Sequence, residues 1–281
     1  MDMTKSRKFQ DIIVKTVIYV FLFLGAVSMA IPYIWMFVTS IKPIEEIQSY
    51  PPSFIVKHPT ALPYHDLFTL IPMWRYIFNS IYVAGAVTVA NIFFCSLAGY
   101  AFAKHRFWGR DKIFFVLLGS LMIPWQVNLI SGFILMRKLG WLNSYNALII
   151  PVMAGVFGVF LCRQFIMSIP DDLVDAAKID GCSEFTIYRL VNLPLIKPVL
   201  ATLAIFTFLQ QWNSFIWPLI VINSSSMRTL PLALAVLNGQ FGTNFAMVMA
   251  GAVVATTPML IVFLSFQKYF MKGIALTGLK G

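Results

Sequence analysis

Six uncharged apolar segments constrain the fold of this chain more than any other feature of the sequence. They are residues 17–38, 77–103, 113–136, 145–162, 198–222 and 245–267. None of them contains Asp, Glu, Lys or Arg. An α-helix rises about 1.5 Å per residue, so about 20 apolar residues cross a hydrocarbon layer about 30 Å thick. With 59% hydrophobic and 11% charged residues, the chain has more apolar surface than a soluble core buries. We therefore predict an all-α membrane protein with six transmembrane helices.

The Lys and Arg residues predict the orientation of these helices. In this topology, fifteen of the 21 lie on the side that holds both termini, and six lie on the other side. Cytoplasmic loops of membrane proteins carry the excess of Lys and Arg. We therefore expect residues 1–16 to be a cytoplasmic N-terminus, residues 17–281 to be a single transmembrane domain, and both termini to lie in the cytoplasm. Short basic runs between apolar segments are typical of membrane topology and not of a nucleic-acid surface.

Two polar stretches fall on the predicted outer side. Residues 39–76 are rich in proline and too irregular to lie in lipid, so they predict an external loop. Residues 223–244 contain Ser, Pro and Gly and predict a flexible external loop.

The predicted helices lack charge at membrane depth, which bears on the energy source. Carriers driven by protons or sodium usually need an intramembrane carboxylate, so we expect the energy to come from elsewhere. Each proline within these helices removes a backbone hydrogen bond and favours a kink. These prolines are Pro32, Pro124, Pro151, Pro218 and Pro258. The three cysteines and three histidines lack the spacing of a metal site, and we predict neither a metal site nor a catalytic residue.

One polar segment, residues 168–194, interrupts the apolar pattern on the predicted cytoplasmic side. It holds five of the chain's eleven carboxylates. We expect Ser168 to cap a first helix and Gly181 to end it. A second predicted helix starts at Ser183 and ends before Pro194.

The first of these helices is amphipathic on a helical wheel. Leu173, Ala176 and Ala177 fall together, opposite Asp171, Asp175 and Lys178. Helices that lie on membrane surfaces favour Lys and Arg on the polar face, whereas this helix is acidic. We therefore predict that it docks onto a protein partner, which its small residues allow to approach closely.

The spacing within this segment resembles a known motif. Asp175-Ala176-Ala177, three residues, Gly181, nine residues and then Val191-Asn192-Leu193-Pro194 resembles the EAA motif of ABC importer permeases. Asp and Val stand in place of the usual Glu and Ile.

The resemblance extends over most of the chain and points to the carbohydrate-uptake, maltose-permease-like class of these importers. The further stretches that match are Lys42–Ile47, Asn79-Ser80, Ala101–Lys104, Met122–Gln126, Arg163–Phe165, Trp212–Phe215, Pro218-Leu219 and Leu279–Gly281. An ordered set of this kind is more specific than any single motif.

The resemblance implies the type I ABC importer permease fold, with residues 168–194 as a coupling segment that fits a cleft of a cytoplasmic ATPase. The residues assigned to coupling are Asp175, Ala176, Ala177, Gly181, Val191, Leu193 and Pro194. Among these, Gly181 would provide the tight turn, the two alanines the close contact and Asp175 a polar link to the ATPase.

The resemblance also implies partners. They are a second homologous permease subunit in a heterodimer, two ATPase subunits and an extracellular solute-binding protein, in a bacterial or archaeal cytoplasmic membrane. Because the chain lacks the GxxxxGK[ST] phosphate-binding motif, ATP and Mg would be bound by the ATPase, with no cofactor in this chain.

Polar and aromatic side chains within the predicted helices are candidates for the substrate path. They are Gln126, Asn128, Gln211, Trp212 and Asn213. A sugar needs hydrogen-bonding groups for its hydroxyls and an aromatic face for its C–H groups. Amides also hydrogen-bond between helices, and both roles stay open for Gln211 and Asn213, whereas Asn91 favours helix packing.

Two external or terminal stretches have roles suggested by the resemblance. Residues 223–244 would contact the solute-binding protein, and residues 273–281 would extend towards the ATPases. An ordinary loop and a frayed terminus are the respective alternatives.

The predicted function is the permease subunit of an ATP-driven sugar importer, forming half of the pathway for a mono-, di- or oligosaccharide. The alternative is a permease of the same architecture for a non-sugar solute. A membrane-embedded enzyme would need clustered acids or bases at a membrane face, and the acidic cluster here is helical and lacks a metal-ligand pattern. A purely structural subunit leaves the motif spacing unexplained.

Overall fold

The computed structural model of the protein describes the backbone of residues 3–241 and 244–278 and the side chains of residues 12–239 and 244–265. These residues form helices and turns without a strand, which confirms the all-α prediction. The chain divides into two compact units. Unit 1 comprises Met1–Ile71 and Leu237–Val254, and unit 2 comprises Pro72–Val236 and Ala255–Gly281. The single transmembrane domain stays a prediction, and the matching stretch at residues 279–281 lies outside the described residues.

Between four and six segments of the described chain suit a membrane. Four are long and apolar enough to cross one, namely Ile12–Ser40, Met73–Lys104, Tyr145–Met167 and Phe245–Ser265. Two bent pairs raise the number to six if each pair is one span. In these pairs Arg110–Ser120 meets Trp125–Lys138 at 91°, and Glu184–Leu195 meets Lys197–Trp212 at 80°.

Unit 1 begins with three helices, α1 (Met3–Ser40), α2 (Ile44–Ile47) and α3 (Leu62–Leu70). The expectation of an irregular stretch at 39–76 is corrected here, because α3 lies within it. The connection before α3 is also ordered by its own polar groups. The two carboxylate oxygens of Glu46 accept hydrogen bonds from the backbone N–H groups of Lys57 and His58 at 3.2 and 2.8 Å.

Unit 2 contains the remaining helices up to residue 236. They are α4 (Met73–Lys104), α5 (Arg110–Ser120), α6 (Leu129–Lys138), α7 (Tyr145–Ile149), α8 (Val156–Met167), α9 (Asp171–Ile179), α10 (Glu184–Ile187), α11 (Leu193–Leu195), α12 (Lys197–Trp212) and α13 (Ile216–Val221). Short 3₁₀ helices lie at Trp125–Asn128, Ile150–Val152 and Ser225–Met227, and a π-helix lies at Tyr188–Asn192. Two further helices, α14 (Leu230–Phe241) and α15 (Phe245–Gly278), contribute residues to both units. The expectation of a flexible loop at 223–244 is thus wrong over α14, where Pro231 occupies the first helical turn, a position at which its missing N–H costs nothing.

One end of unit 2, which we call the charged end, is defined by the ends of α4 and α8. The guanidinium Nε of Arg163 donates to the Phe102 carbonyl at 3.3 Å, and the Lys104 ammonium donates to the Ile169 carbonyl at 2.6 Å. A buried cluster that includes Ile166 and Ile169 lies at this end.

The opposite end of unit 2 is defined by the start of α4 and the start of α7. The Tyr145 hydroxyl donates to Asn79 Oδ1 at 2.7 Å. The end of α13 lies there as well, because the Asn143 N–H donates to the Val221 carbonyl at 3.0 Å. Its buried cluster includes Val83 and Val221.

The bent pair α5 and α6 runs between these two ends. Asp111 at the start of α5 lies 3.7 Å from Arg163 at the charged end. Met136 near the end of α6 is buried in the cluster at the opposite end. The predicted continuous helix at 113–136 is corrected accordingly.

The helices α12 and α13 together make another crossing. Val199 of α12 belongs to the cluster at the charged end, and Val221 of α13 belongs to the cluster at the opposite end. The predicted helix at 198–222 is interrupted at residues 213–215. One cause is Pro218, which cannot donate to the carbonyl of Ser214. Four segments within residues 72–236 therefore run between these two ends, and we call them crossings, namely α4, α5 with α6, α7 with α8, and α12 with α13.

The α4 and α8 helices approach each other very closely at two glycines. A Cβ atom on Gly99 would lie 2.7 Å from the Cys162 Cβ and 2.9 Å from the backbone nitrogen of Arg163. A Cβ atom on Gly158 would lie 2.7 Å from the Cys95 Sγ. Close backbone approach at small residues is how helices associate in lipid, where burial of apolar surface against another helix gains little.

We expect Gly99→Ala to destabilise the protein by about 1–3 kcal/mol, because backbone atoms of α8 cannot move aside for the added methyl group. Thermal unfolding of the purified protein in detergent measures the change. Gly85→Ala in the same helix is the matched control, since a Cβ atom there meets nothing within 4 Å. That variant should keep its stability or gain up to about 1 kcal/mol from helix propensity. Equal melting temperatures for the two variants would contradict the packing argument.

Candidate functional site

The coupling segment, residues 168–194, follows α8 at the charged end. Its first helix, α9, begins after Pro170, with Asp171 and Asp172 in the first turn at the positive end of the helix dipole. It ends at Ile179 and is followed by Gly181, whose φ of 79° is a left-handed conformation that favours glycine, as the sequence predicted. Ser168 does not cap α9, because its hydroxyl donates back to the Phe165 carbonyl at 2.7 Å and ends α8 instead.

The second half of the coupling segment is less regular than predicted. Ser183 does cap α10, with its Oγ accepting from the Thr186 N–H at 3.3 Å. The helix then continues as a π-helix and the short α11. Because the stretch Glu184–Leu195 meets α12 at 80°, it runs across the end of that span and does not extend it.

Apolar residues of the coupling segment fix it to the bundle. Val174, Ile187 and Tyr188 are buried in the cluster at the charged end. Val191 and Leu193 are partly buried against the same cluster, whereas Pro194 is exposed. The last part of the predicted motif therefore faces largely inward and seats the segment.

The outward face of α9 differs from the predicted one. Val174 lies at the centre of the inward side, with Ala177 half-buried beside it. Ala176 is instead exposed on the same side as Asp172, Asp175 and Ile179. The helical-wheel prediction was wrong because it placed the two alanines on one face and did not include Val174, which is the residue buried against the bundle. The outward surface is therefore two carboxylates, one small residue and an isoleucine that is 86% exposed.

Polar contacts from the end of α4 hold the coupling segment, and sequence reasoning missed them. Besides bonding the Ile169 carbonyl, the Lys104 ammonium donates to Asp171 Oδ1 at 2.5 Å. This hydrogen bond, followed by the charge of the ammonium, holds the pKa of the Asp171 carboxyl below its usual range. Asp171 therefore stays ionised at neutral pH, and the pair is lost only as the pH falls below the ordinary carboxyl range.

Glu184 at the start of α10 is the second polar anchor. Its Oε2 accepts from the Tyr100 hydroxyl at 2.9 Å and lies 3.5 Å from His105 Nε2. Lys178 Nζ lies 3.6 Å from the other carboxylate oxygen. The only sequence signal was that Tyr100 and Lys104 are four residues apart and so share one face of a helix.

A cavity of about 680 Å³ opens within unit 2, between the three broken crossings. Its lining residues are Trp125, Asn128, Leu129, Gly132, Pro151, Val152, Gln210, Gln211, Asn213, Ser214, Phe215, Ile216 and Trp217. They fall at the three interruptions of the spans, around residues 121–128, 150–152 and 213–215. Irregular backbone is tolerated at membrane depth where it lines a cavity, so the position of this cleft follows from the breaks.

The cleft brings together three of the five residues predicted for the substrate path, namely Asn128, Gln211 and Asn213. Gln126 is exposed but lies outside the lining. Trp212 is also outside, because its side chain is buried and its indole N–H donates to the Ala255 carbonyl at 3.1 Å. We assign Trp212 to helix packing.

Three aromatic residues, Trp125, Phe215 and Trp217, and several amides give the cleft its chemical character. Trp217 is held by a hydrogen bond from its indole N–H to the Ala147 carbonyl at 2.8 Å, and its ring packs over Gly132. Gln210 joins the predicted amides in the lining. The lining contains no charged residue. Asn91 lies elsewhere, buried beside α8, and accepts a hydrogen bond from the Cys95 thiol.

Among the described residues, no group of three or more His, Cys, Asp or Glu side chains is arranged to hold a metal ion. The acidic residues of the charged end are instead paired with cations or exposed. The arrangement suits recognition by hydrogen bonding and docking.

Comparison with known proteins agrees with this architecture. The chain is 40% identical over 208 residues to the arabinooligosaccharides transport system permease protein AraQ of Halalkalibacterium halodurans, covering 74% of this chain and 75% of that protein. It is 31% identical over 276 residues to the lactose transport system permease protein LacG of Rhizobium radiobacter, covering 98% of both. It is 34% identical over 205 residues to the sn-glycerol-3-phosphate transport system permease protein UgpE of Salmonella typhi, covering 72% of this chain and 73% of that protein.

Solved structures show the same fold. A chain of a bacterial ABC transporter that imports the acidic polysaccharide alginate superposes with a TM-score of 0.83 at 25% identity, over 93% of this chain and 98% of that one. The family model described as binding-protein-dependent transport system inner membrane component matches residues 3–275. The chain belongs to this family of inner membrane components, and it is therefore a transport subunit and not an enzyme.

Proposed function

We propose that the protein is the permease subunit of an ATP-driven importer for a neutral sugar and forms half of the translocation pathway. The observation that carries this proposal is the coupling segment. It is a helix pair seated across the charged end of the bundle, and its outward face of carboxylates, alanine and isoleucine is exposed. Such a face suits a cleft with an apolar floor and a basic rim on an ATPase subunit.

The orientation in the membrane follows from the charges of unit 2. Residues 72–236 contain twelve Lys and Arg residues, of which eight lie at the charged end and four at the opposite end. The excess of Lys and Arg favours a cytoplasmic charged end. We infer a bacterial or archaeal cytoplasmic membrane, with both termini inside as the Lys and Arg residues of the whole sequence predict. This orientation presents the coupling segment to cytoplasmic partners.

The partners are inferred from this placement and from the family. Two ATPase subunits bind ATP and Mg, and a second permease subunit completes the pathway in a heterodimer. A solute-binding protein delivers the sugar on the outer side. A bacterial alginate ABC transporter of related fold was solved in complex with a periplasmic protein bound to an alginate pentasaccharide, which supports this assembly.

The cleft favours a neutral carbohydrate over an anionic solute. Amides supply donors and acceptors for hydroxyl groups, and the tryptophan rings supply faces for C–H groups. Two relatives carry arabinooligosaccharides and lactose in their names, in line with this chemistry. The relative named for sn-glycerol 3-phosphate makes a phosphorylated polyol the alternative solute. A phosphate group is bound best where a cationic side chain pairs with its charge, and the residues that line the cleft include no Lys or Arg.

Substitution in the cleft tests the substrate path. We expect Gln211→Met to raise the KM of sugar uptake about 3–10-fold, because one hydrogen bond to a hydroxyl is lost. Gln126→Met is the matched control, since Gln126 lies outside the cleft and should leave the KM unchanged. Uptake is measured in proteoliposomes that contain the complete transporter, with arabinotriose, lactose and sn-glycerol 3-phosphate as probes. Import of the glycerol phosphate alone would favour the alternative solute, and equal KM values for both variants would contradict the cleft assignment.

Substitution on α9 tests the docking surface. We expect Ile179→Asp to weaken association with the ATPase about tenfold or more, because an apolar side chain that the interface buries becomes charged. Ile179→Leu should keep normal association. The amount of ATPase that co-purifies with the tagged permease measures the effect. Full recovery of the ATPase with Ile179→Asp would contradict this docking surface, and absence of any ATPase with the unaltered protein would contradict the proposed function.

A further inference from the structure

Among the four crossings within residues 72–236, α4 is the one that is a single uninterrupted helix. It has 32 residues and no proline. The other three crossings of unit 2 are interrupted, near residues 121–124, 150–155 and 213–215. An uninterrupted helix transmits a displacement along its axis, whereas a broken one bends at its interruption.

At the charged end, α4 is tied to both helices of the coupling segment. Lys104 bonds Asp171, the first residue of α9, and Tyr100 bonds Glu184, the first residue of α10. The Lys104 side chain is only 5% exposed. If the coupling segment moved away from α4, the buried ammonium group would therefore be left unpaired. The Tyr188 hydroxyl adds a third tie, at 2.8 Å from Ser96 Oγ.

The chemistry of these ties goes beyond what stability requires. The Asp171 side chain is 79% exposed, and an ion pair with an exposed partner adds little stability, so its use points to geometry. Apolar contacts allow neighbouring helices to slide, whereas a hydrogen bond fails when its atoms separate by about 1 Å. Polar ties therefore make α4 follow the coupling segment.

At the opposite end, α4 is tied to the chain that leads into α14. The Asn79 amide donates to the carbonyls of Ser226 and Arg228 at 3.0 and 2.9 Å. Ser80 Oγ accepts from the Leu230 N–H at 2.7 Å. The Asn79 side chain is fully buried, so its amide group depends on hydrogen bonds within the protein. A movement of α4 is thus passed to residues 226–230.

We propose that α4 is a rigid transmission element between the coupling segment and residues 226–230, with Tyr100 and Lys104 as the positioning residues that latch it to the coupling segment. This inference rests on the proposed function, because an ATPase must move the coupling segment. Tyr100 and Lys104 would thereby couple the movement of the ATPase to a movement of residues 226–230.

The test uses the complete transporter in proteoliposomes and measures ATP hydrolysed per molecule imported, with whichever of arabinotriose, lactose or sn-glycerol 3-phosphate the unaltered protein imports. We expect Tyr100→Phe and Lys104→Met to raise this ratio about fivefold or more, with the ATPase still bound. Lys104→Arg keeps the charge and the donors and should restore the normal ratio. Arg110→Gln is the matched control at the same end, since Arg110 donates to the neighbouring Asp111 and to the His105 carbonyl, both of which lie outside the coupling segment.

The outcomes separate the two proposals. Normal ratios in both Tyr100→Phe and Lys104→Met would overturn the latch and leave the proposed function intact. If Lys104→Met fails to assemble, Tyr100→Phe decides alone, because it removes a single oxygen atom. An unaltered protein that assembles with no ATPase or imports none of the probes would overturn the proposed function, and the latch would fall with it.

Discussion

The packing of α4 against α8 is the contact on which the rest of unit 2 depends. Because Gly99 and Gly158 have no Cβ atom, the two helices approach so closely that an added methyl group would overlap with the neighbouring helix. This close contact gains dispersion energy that lipid alone does not supply. Because the two helices end together, the carbonyls of Phe102 and Ile169 come within reach of Arg163 and Lys104. The coupling segment leaves α8 at that point, so its first residue starts beside the end of α4. The position of the proposed docking surface therefore follows from a glycine contact within the bundle.

The same constraint of lipid explains where the cleft lies. A backbone group without a hydrogen bond costs several kcal/mol in hydrocarbon, so interruptions of a span are tolerated only where protein or a cavity covers them. In unit 2 the three interruptions meet around one cavity, and Pro124, Pro151 and Pro218 lie at or next to them. The amides of the cleft are thus placed by the features that break the helices. The amides that are candidates for sugar binding and the interruptions of the helices therefore lie in one region, because both are placed around the cavity.

The sequence predicted the features that depend on local chemistry and missed those that depend on the neighbouring helix. Hydropathy located the apolar helices, and the motif spacing located the turn at Gly181, because a positive φ favours glycine wherever it occurs. The wheel misplaced the outward face of α9, since only the bundle decides that Val174 is buried. Proline predicted kinks but not the 91° bend, which depends on what packs around it. The bond between Lys104 and Asp171 joins residues 67 positions apart, and a single sequence carries no signal for it.

The contrast between broken and unbroken crossings separates two mechanical roles within one bundle. A cleft that opens and closes needs spans that bend near it, and each span that lines the cleft has an interruption there. A signal that arrives at the charged end needs a span that does not bend, and α4 meets that need with polar ties at both ends. If α4 carried a proline at its centre, movement of the coupling segment would be absorbed as a kink before reaching residues 226–230. The absence of proline over 32 residues of α4 therefore supports the proposed transmission role, just as the prolines around the cleft support spans that bend there.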